Sequence, residues 1–368
     1  MRRLLHAYLL RALALVTAVA ALSGGSARAS QVSYAAMADS EASWLWTQQL
    51  SNGAFAYFYD GDGEVCINPY FSSECAIALI RHDVSRQSGE KIKAYLNWFF
   101  RHLNSAGEDR NGLAGTIYDY TAYVKDGLVI RETTRRAYDS TDSYAALFLI
   151  ALYEYSNQYG DSDYIASRKQ SILQVIDAML ATRKNGYTYA KPDYEEYYLM
   201  DNCEVYAGMT CAAKLCEQIL KDPKTAALLK RDAAFCEAHF ASDWRIGDHY
   251  ADALYTSVFS WNTFYQCAVS QAFPVLFGLV RADSEEARAL YRHFCRVYAW
   301  ENLEHMTSGQ SEYYWGHLAL WGARMGDTER VDTYLQHYRD AVGSSRAYPL
   351  VSADAALVLI TCDEMQRK

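Results

Sequence analysis

The sequence predicts an all-α protein that folds as an (α/α)6 toroid, a closed ring of six helical hairpins in two layers. Apolar residues recur at the helical spacing i, i+3, i+4 and i+7 in about twelve segments of the chain. These segments are joined alternately by five short turns that contain Asp or Ser and by six long loops crowded with Tyr, Trp and carboxylates. Because the long loops fall in alternate gaps, we expect all of them to open at one end of the ring.

The even-numbered segments in chain order, such as 140–157 and 262–280, are apolar on most sides and are predicted to form the inner layer. Odd-numbered segments such as 88–104 carry charge along one face, which is typical of a solvent-facing outer layer. Each short turn follows an inner helix, and its Asp or Ser is predicted to cap the outer helix that comes next. A helical-repeat solenoid is the alternative, but the loops are unequal and no motif repeats. The predicted helices lie near 36–50, 69–81, 88–104, 140–157, 163–183, 201–219, 223–240, 262–280, 284–298, 310–325, 328–342 and 350–365.

The long loops are the segments in which strand patterns occur. Residues 115–132 alternate apolar and polar side chains on both sides of Asp126-Gly127, which predicts a small β-hairpin on the loop face. The six loops lie at about 51–68, 105–140, 184–200, 243–262, 299–310 and 343–350.

The N-terminus has the pattern of a secretory signal peptide. Arg2 and Arg3 precede an apolar stretch at 12–22, and Ala27-Arg28-Ala29 matches a cleavage site. We therefore expect a signal peptide at 1–29 and a mature, secreted or periplasmic chain at 30–368. No linker interrupts that chain, which predicts a single domain, and no later apolar run reaches the roughly 18 residues that a membrane span needs.

Charge and cysteine content limit the partners that the chain can have. The formal net charge is −9, which argues against nucleic acid or an anionic membrane surface as a partner. Nine cysteines leave at least one unpaired in a monomer, and the sequence allows a disulfide between Cys66 and Cys75. No Cys or His cluster has metal-ligand spacing, so we expect neither a metal nor another cofactor.

Two carboxylates open successive inner helices. Asp142 begins the segment 140–157 and Asp201 begins 201–219. Inner-helix N-termini carry free N–H groups and the positive end of the helix dipole, so acids there are candidates for chemistry in the cleft. The alternative is a capping role. Asp201 and Glu204 match a capping box, and Ser140 or Asp139 can cap the other helix with Asp142 as an acid that the helix dipole favours.

Three further acids are catalytic candidates. Asp119 lies on the predicted hairpin between two tyrosines, where loss of water would raise its pKa as a general acid requires. Glu64 lies in the loop before the second helix and Glu74 lies in the first turn of that helix.

The aromatic content favours a carbohydrate as the substrate. The chain has 31 Tyr and 8 Trp, many of them in the long loops. Sugar rings stack their C–H faces on aromatic side chains, although large aromatics can also simply fill a wide core. The predicted substrate-binding residues are Tyr57, Tyr118, Tyr144, Tyr198, Trp261 and Trp315.

The chain resembles the six-hairpin glycosidases between residues 140 and 210. The resemblance lies in Thr141-Asp142-Ser143-Tyr144, a helix, Gly160-Asp161, another helix, and then Met200-Asp201-Asn202. This order of motifs and helices is most similar to that of the unsaturated glucuronyl and rhamnogalacturonyl hydrolases. In those enzymes an Asp at the start of each of two successive inner helices lines the reaction centre. The resemblance implies this role for Asp142 and Asp201.

A second resemblance is to glycoside hydrolase family 8. Thr141-Asp142 is similar to the Thr-Asp pair of that family, and Ser73-Glu74-Cys75 falls near the position of its N-terminal Ser-Glu-Gly motif, which contains the general acid. Cys75 stands where that motif has Gly.

The sequence therefore predicts an exported glycoside hydrolase that cleaves an oligo- or polysaccharide by carboxylate general acid/base catalysis. Asp142 and Asp201 are the principal pair. Two alternatives stay open. The first is a polysaccharide lyase or sugar epimerase that uses His249, Tyr250 or His317, and the second is a glycan-binding protein without catalysis.

Overall fold

The computed structural model describes residues 33–368, of which Tyr34–Lys368 form one compact unit. The predicted signal peptide at 1–29 lies outside the described residues. The described chain is largely helical, and its long helices alternate between an inner and an outer layer. The outer helices are α1 (Tyr34–Thr47), α3 (Arg86–Arg101), α5 with α6 (Ser162–Ser167, Lys169–Leu180), α8 (Pro223–Trp244), α10 (Glu285–Val297) and α13 (Thr328–Val342). The inner helices are α2 (Pro69–His82), α4 (Asp142–Tyr159), α7 (Leu199–Gln218), α9 (Phe273–Leu276), α12 (Gly316–Met325) and α14 (Ser352–Gln366).

The inner helices close into a ring. Helix α2 packs on α4, α4 on α7, α7 on α9, α9 on α12, α12 on α14, and α14 again on α2. The outer helix α1 also packs on α14, so the first and last described helices meet. The predicted (α/α)6 toroid is therefore confirmed.

A buried ion pair fastens this closure. Glu41 of α1 is 2% exposed, and its carboxylate accepts hydrogen bonds from both terminal nitrogens of Arg346, at 2.8 and 2.6 Å. The hydroxyl of Tyr338, on α13, donates a third bond of 3.1 Å.

Five side-chain caps start the outer helices after the short turns, as predicted. Each cap is an Asp or Ser whose side-chain oxygen accepts a backbone N–H three residues later. The capping residues are Ser85, Asp161, Asp222, Ser284 and Asp327.

Two inner helices differ from the predicted segments. The segment 262–280 is not one helix, because Tyr265 is extended (φ −101°, ψ 130°) and only a π-helical turn at Phe264–Ala268 and the short α9 remain. Pro274, which has no N–H to donate to a preceding turn, stands in the first turn of α9. Helix α12 starts at Gly316 rather than near 310, since Trp315 has a left-handed backbone (φ 55°). The loop before it contains a 3₁₀ turn (Trp300–Asn302) and the short helix α11 (Glu304–Thr307).

The predicted hairpin is confirmed and is part of a larger sheet. Strands β2 (Tyr120–Lys125) and β3 (Leu128–Thr134) flank a turn in which Asp126 and Gly127 have positive φ. Strand β1 (Gly63–Ile67), predicted only as loop, pairs antiparallel with the other edge of β2. Three two-residue ladders complete the loop face: β4 with β5 (Arg183–Lys184, Tyr187–Thr188), β6 with β9 (Tyr197–Tyr198, Ala253–Leu254) and β7 with β8 (Arg245–Ile246, His249–Tyr250).

The cysteines are all free thiols, so Cys66 and Cys75 do not form the disulfide that the sequence allowed. Within residues 33–368, no helix is both long and apolar enough to cross a membrane.

Candidate active site

A pocket of about 150 Å³ opens where the N-terminal ends of the inner helices meet the long loops. It lies between the start of α4, the loop before α7 and the interrupted segment before α9. The side chains that give it chemical character are Asp139, Lys191, Tyr194, Tyr198, Asp201 and Tyr265.

The two predicted catalytic acids lie at different depths. Asp201 is half-buried and lines the pocket, whereas Asp142 is 0% exposed and lies beneath it. Burial raises the pKa of Asp142 to about 7. Burial also holds the pKa of Asp201 well above its usual 3.8, and the charges of Asp142 and Glu204 raise it further. The two carboxyl groups are therefore close enough to interact electrostatically, and Asp201 is the nearer of the two to the pocket.

Neither acid is a helix cap, which was the alternative from the sequence. The N-cap residues of α4 and α7 are Thr141 and Tyr198, and neither makes a side-chain capping bond. Oδ1 of Asp142 accepts a hydrogen bond from the N–H of Ser143, at 2.8 Å. Its Oδ2 is buried and has no hydrogen-bond partner among the described residues.

Glu204, one turn after Asp201 on α7, also points into the ring. It is 0% exposed and accepts a 2.6 Å hydrogen bond from the hydroxyl of Tyr70, on α2. Burial, followed by the charges of Glu74 and Asp142, holds its pKa well above the usual value.

Glu74 lies deeper on the ring axis. It is 6% exposed, and its Oε1 lies 3.4 Å from Nε2 of His317 on α12. The nearby Asp354 of α14 accepts the backbone N–H groups of Tyr314 (3.3 Å) and Gly316 (3.2 Å), so it anchors the start of α12. Burial raises the pKa of Asp354 to about 6.

Asp119 is half-buried beside the cleft. It accepts a 3.1 Å hydrogen bond from the hydroxyl of Tyr144, which in turn accepts one from Asn68 at 2.8 Å. Burial raises the pKa of Asp119 to about 6, and the charge of Asp139 adds to this rise. Tyr144 is 3% exposed, so it serves as a buried link rather than as an open stacking surface.

The remaining predicted residues lie elsewhere on the loop face. Glu64 is exposed on β1, opposite Tyr123. Tyr118 is 2% exposed and stacks on Tyr138 within its own loop. Neither Glu64 nor Tyr118 lines the pocket.

Two other aromatic candidates also lie outside the pocket. Tyr57 packs its half-buried ring at 5.3 Å from Phe71. Trp261 stacks at 4.2 Å on His293, which belongs to the outer helix α10.

An aromatic wall borders the pocket. The rings of Tyr265 and Trp315 are 5.5 Å apart, and Tyr265 is 55% exposed. Tyr194 and Tyr198 also line the pocket, and their hydroxyls are 3.2 Å apart. Partial loss of water and the charges of Asp139, Asp201 and Glu204 raise the pKa of Tyr265 to about 12, which places its hydroxyl near these acids.

Sequence reasoning missed several of these residues as parts of a site. The apolar pattern predicts Tyr265 inside a continuous helix, and the sequence indicates only a capping role for Asp139 and Glu204. Glu204 has a usable signal, because it follows Asp201 by three positions on a helix that is apolar on most sides. Tyr194 has a weak signal as one of the many loop aromatics, whereas Lys191 has none, since only the fold brings its loop to the cleft.

No protein-family model and no curated protein matches the sequence. Solved structures do match the fold. A wild-type glycosidase is 15% identical with a TM-score of 0.62, over 90% of this chain and 96% of its own, and a variant of it in complex with glucose matches equally well. A bacterial glucoamylase complexed with acarbose is 12% identical with a TM-score of 0.59, over 90% of this chain and 56% of its own. A rhamnosidase from Klebsiella oxytoca with rhamnose bound is 11% identical with a TM-score of 0.53, over 80% of this chain and 57% of its own. The chain thus has the six-hairpin toroid fold that these glycosidases share.

Proposed function

We propose that this protein is a glycoside hydrolase that cleaves an oligo- or polysaccharide in the pocket at the inner-helix N-termini. Asp201 acts as the general acid, and Asp139 is the second carboxyl group, which activates water or stabilises the sugar cation. The observation that carries the proposal is the position of Asp201, which lines the pocket with a raised pKa while buried acids lie behind it.

The acid role follows from the surroundings of Asp201. A general acid must hold its proton near neutral pH and release it to the leaving oxygen in the transition state. Burial together with Asp142 and Glu204 keeps the Asp201 carboxyl protonated to a higher pH than that of an ordinary Asp. Asp142 is a positioning residue in this scheme, because it is fully buried and cannot touch a sugar.

Asp139 has the opposite environment. It is exposed and lines the same pocket, so it can contact a water molecule beside a bound sugar. Two carboxyl groups in one cleft, one buried beside other acids and the other open to water, are the arrangement that glycoside hydrolysis needs.

The aromatic side chains suit a sugar as the bound group. Tyr265 and Trp315 offer apolar ring faces, while Lys191 and the hydroxyls of Tyr194 and Tyr198 offer hydrogen bonds to sugar hydroxyls. The solved structures with this fold support the same class of ligand, since they contain glucose, acarbose or rhamnose. We also infer that the chain is exported, because of the predicted signal peptide at 1–29.

The test uses the protein from residue 30 with Asp201→Asn and Asp139→Asn variants on neutral, amino and uronic polysaccharides. We expect new reducing ends, with kcat lowered about 10²- to 10⁴-fold in each variant. The matched control is Asp163→Asn, which changes an exposed acid on the outer helix α5. Anomeric NMR of the first product would show inversion or retention. Full activity in Asp201→Asn would refute its role as the acid.

The same assay separates the alternatives. Ultraviolet absorbance from an unsaturated product would indicate a lyase, and binding of a glycan without any cleavage would indicate a binding protein. The residues considered for a lyase or epimerase do not line the pocket. His317 lies on the ring axis, and His249 stacks on Phe259 beside a pocket next to α10.

A further inference from the structure

A second cavity runs along the axis of the ring, behind the proposed active site. Its volume is about 180 Å³, and all six inner helices or the residues adjoining them contribute to its wall. It extends from Glu74 and His317, in the N-terminal halves of α2 and α12, to Arg81, Glu154 and Arg324 near the C-terminal ends of inner helices. It is therefore reached from the face of the toroid opposite the proposed active site.

The middle of this axial cavity is apolar. Its wall there consists of aliphatic side chains from α2, α4, α12 and α14, and two small side chains on α7, Ala207 and Cys211, leave the space open. A cavity of about 150 Å³ with such a lining takes up a molecule of benzene's size. The aliphatic residues include Ile77, Leu147, Ile150, Leu320, Leu357 and Ile360.

The deep end of the axial cavity is polar and incompletely paired. Glu74 and His317 are 6% and 8% exposed, and neither Oε2 of Glu74 nor Nε2 of His317 has a hydrogen-bond partner among the described residues. A buried carboxylate oxygen without a donor is costly, so a ligand that supplies one is favoured.

The charges at the deep end select a cation. The negative charge of Glu74 acts on both Glu204 and Asp354, so three carboxyls are close to one another there. His317 is the one basic side chain at this end among the residues that line the axial cavity. At the opening, both guanidinium groups are already paired, Arg81 with Glu154 at 2.8 Å and Arg324 with Glu364 at 3.0 Å. An anionic ligand therefore finds no unpaired guanidinium group at the opening of the axial cavity.

We propose that the axial cavity is a binding site for a small primary amine with a hydrocarbon body of about phenyl or pentyl size. The ammonium group donates a hydrogen bond to Oε2 of Glu74, and the hydrocarbon fills the aliphatic middle of the cavity. This site is distinct from the proposed active site, and its existence does not depend on the proposed function.

Binding is tested by calorimetry on the chain from residue 30, with benzylamine as the probe and toluene and benzoate as comparators. We expect benzylamine to bind at least about tenfold more tightly than either comparator, and Glu74→Gln to remove about the same factor, because a charge-assisted hydrogen bond is lost. Glu329→Gln, an exposed change on α13, is the matched control and should bind as the parent does. Ala207→Met fills the middle of the cavity and should abolish binding while circular dichroism stays unchanged.

Chemical labelling of Cys211 tests the position of the bound ligand independently of calorimetry. It is a partly exposed thiol on the cavity wall, whereas Cys66 and Cys295 are partly exposed thiols elsewhere. Benzylamine should slow the modification of Cys211 by N-ethylmaleimide, read by peptide mass spectrometry, and leave Cys66 and Cys295 unaffected. Equal affinity for benzylamine and benzoate, or unchanged labelling of Cys211 at saturating benzylamine, would overturn the proposal.

Discussion

Replacing Asp142 by Asn should change the pH dependence of stability in a direction that ordinary surface acids do not produce. The folded-state pKa of Asp142 is about 7, against the usual 3.8, because the side chain is fully buried. Below about pH 4 the Asp142 carboxyl is protonated in both the folded and the unfolded protein, so folding does not bury a charge there. As pH rises from about 4 to 7 the free energy of unfolding falls, because the Asp142 carboxyl ionises at a lower pH in the unfolded chain than in the folded protein.

The size of the loss follows from the two pKa values. Each pH unit between them corresponds to 1.36 kcal/mol, so ionising Asp142 costs the folded state about 4 kcal/mol by pH 8. The Asp142→Asn variant does not titrate at this position. We therefore expect its free energy of unfolding, relative to the parent, to become more favourable by about 4 kcal/mol between pH 4 and pH 8.

The assay is urea unfolding followed by tryptophan fluorescence at pH 4, 6 and 8, in buffers of equal ionic strength. Asp163→Asn, at an exposed outer-layer acid, is the control and should differ from the parent by a small amount that changes little with pH. Parallel profiles for the parent and Asp142→Asn would refute the claim that Asp142 is protonated by burial. They would also weaken the positioning role proposed for it.

Three further predictions concern packing, ring closure and substrate binding. Gly208→Ala should destabilise the fold by about 1 to 3 kcal/mol in urea unfolding, because the new Cβ would lie 2.8 Å from Cα of Ala146 and force α4 and α7 apart. Arg346→Ala should cost about 3 to 5 kcal/mol in the same assay, since it leaves the carboxylate of Glu41 buried without its cation. Tyr265→Ala should raise KM about tenfold with kcat and melting temperature little changed, as expected for a lost stacking surface; a fall in kcat alone would contradict this.

Local patterns determined most of the fold. The positions of the long helices follow from apolar residues at helical spacing, and the starts of five outer helices follow from an Asp or Ser that caps them. The hairpin turn was also predictable, because Asp-Gly suits a turn whose two central residues have positive φ, as Asp126 and Gly127 do. These signals are local, since each depends on residues within about one or two turns of the chain.

The interrupted inner segment shows where local patterns failed. Residues 262–280 have the composition of a buried helix, yet Tyr265 is extended and only short helical turns surround it. This break presents Tyr265 to the cleft, where it borders the pocket with Trp315. No periodic pattern distinguishes such a residue from a core aromatic.

The sequence by itself determined that acids stand at the starts of inner helices, and it singled out Asp142 and Asp201. Only the tertiary structure decided that Asp201 lines the pocket, that Asp142 lies beneath it and that Asp139 and Glu204 join them. The physical reason is that an acid's role depends on its access to water and on the charges around it. Both are set by side chains that lie far away in the chain and meet only when the ring closes.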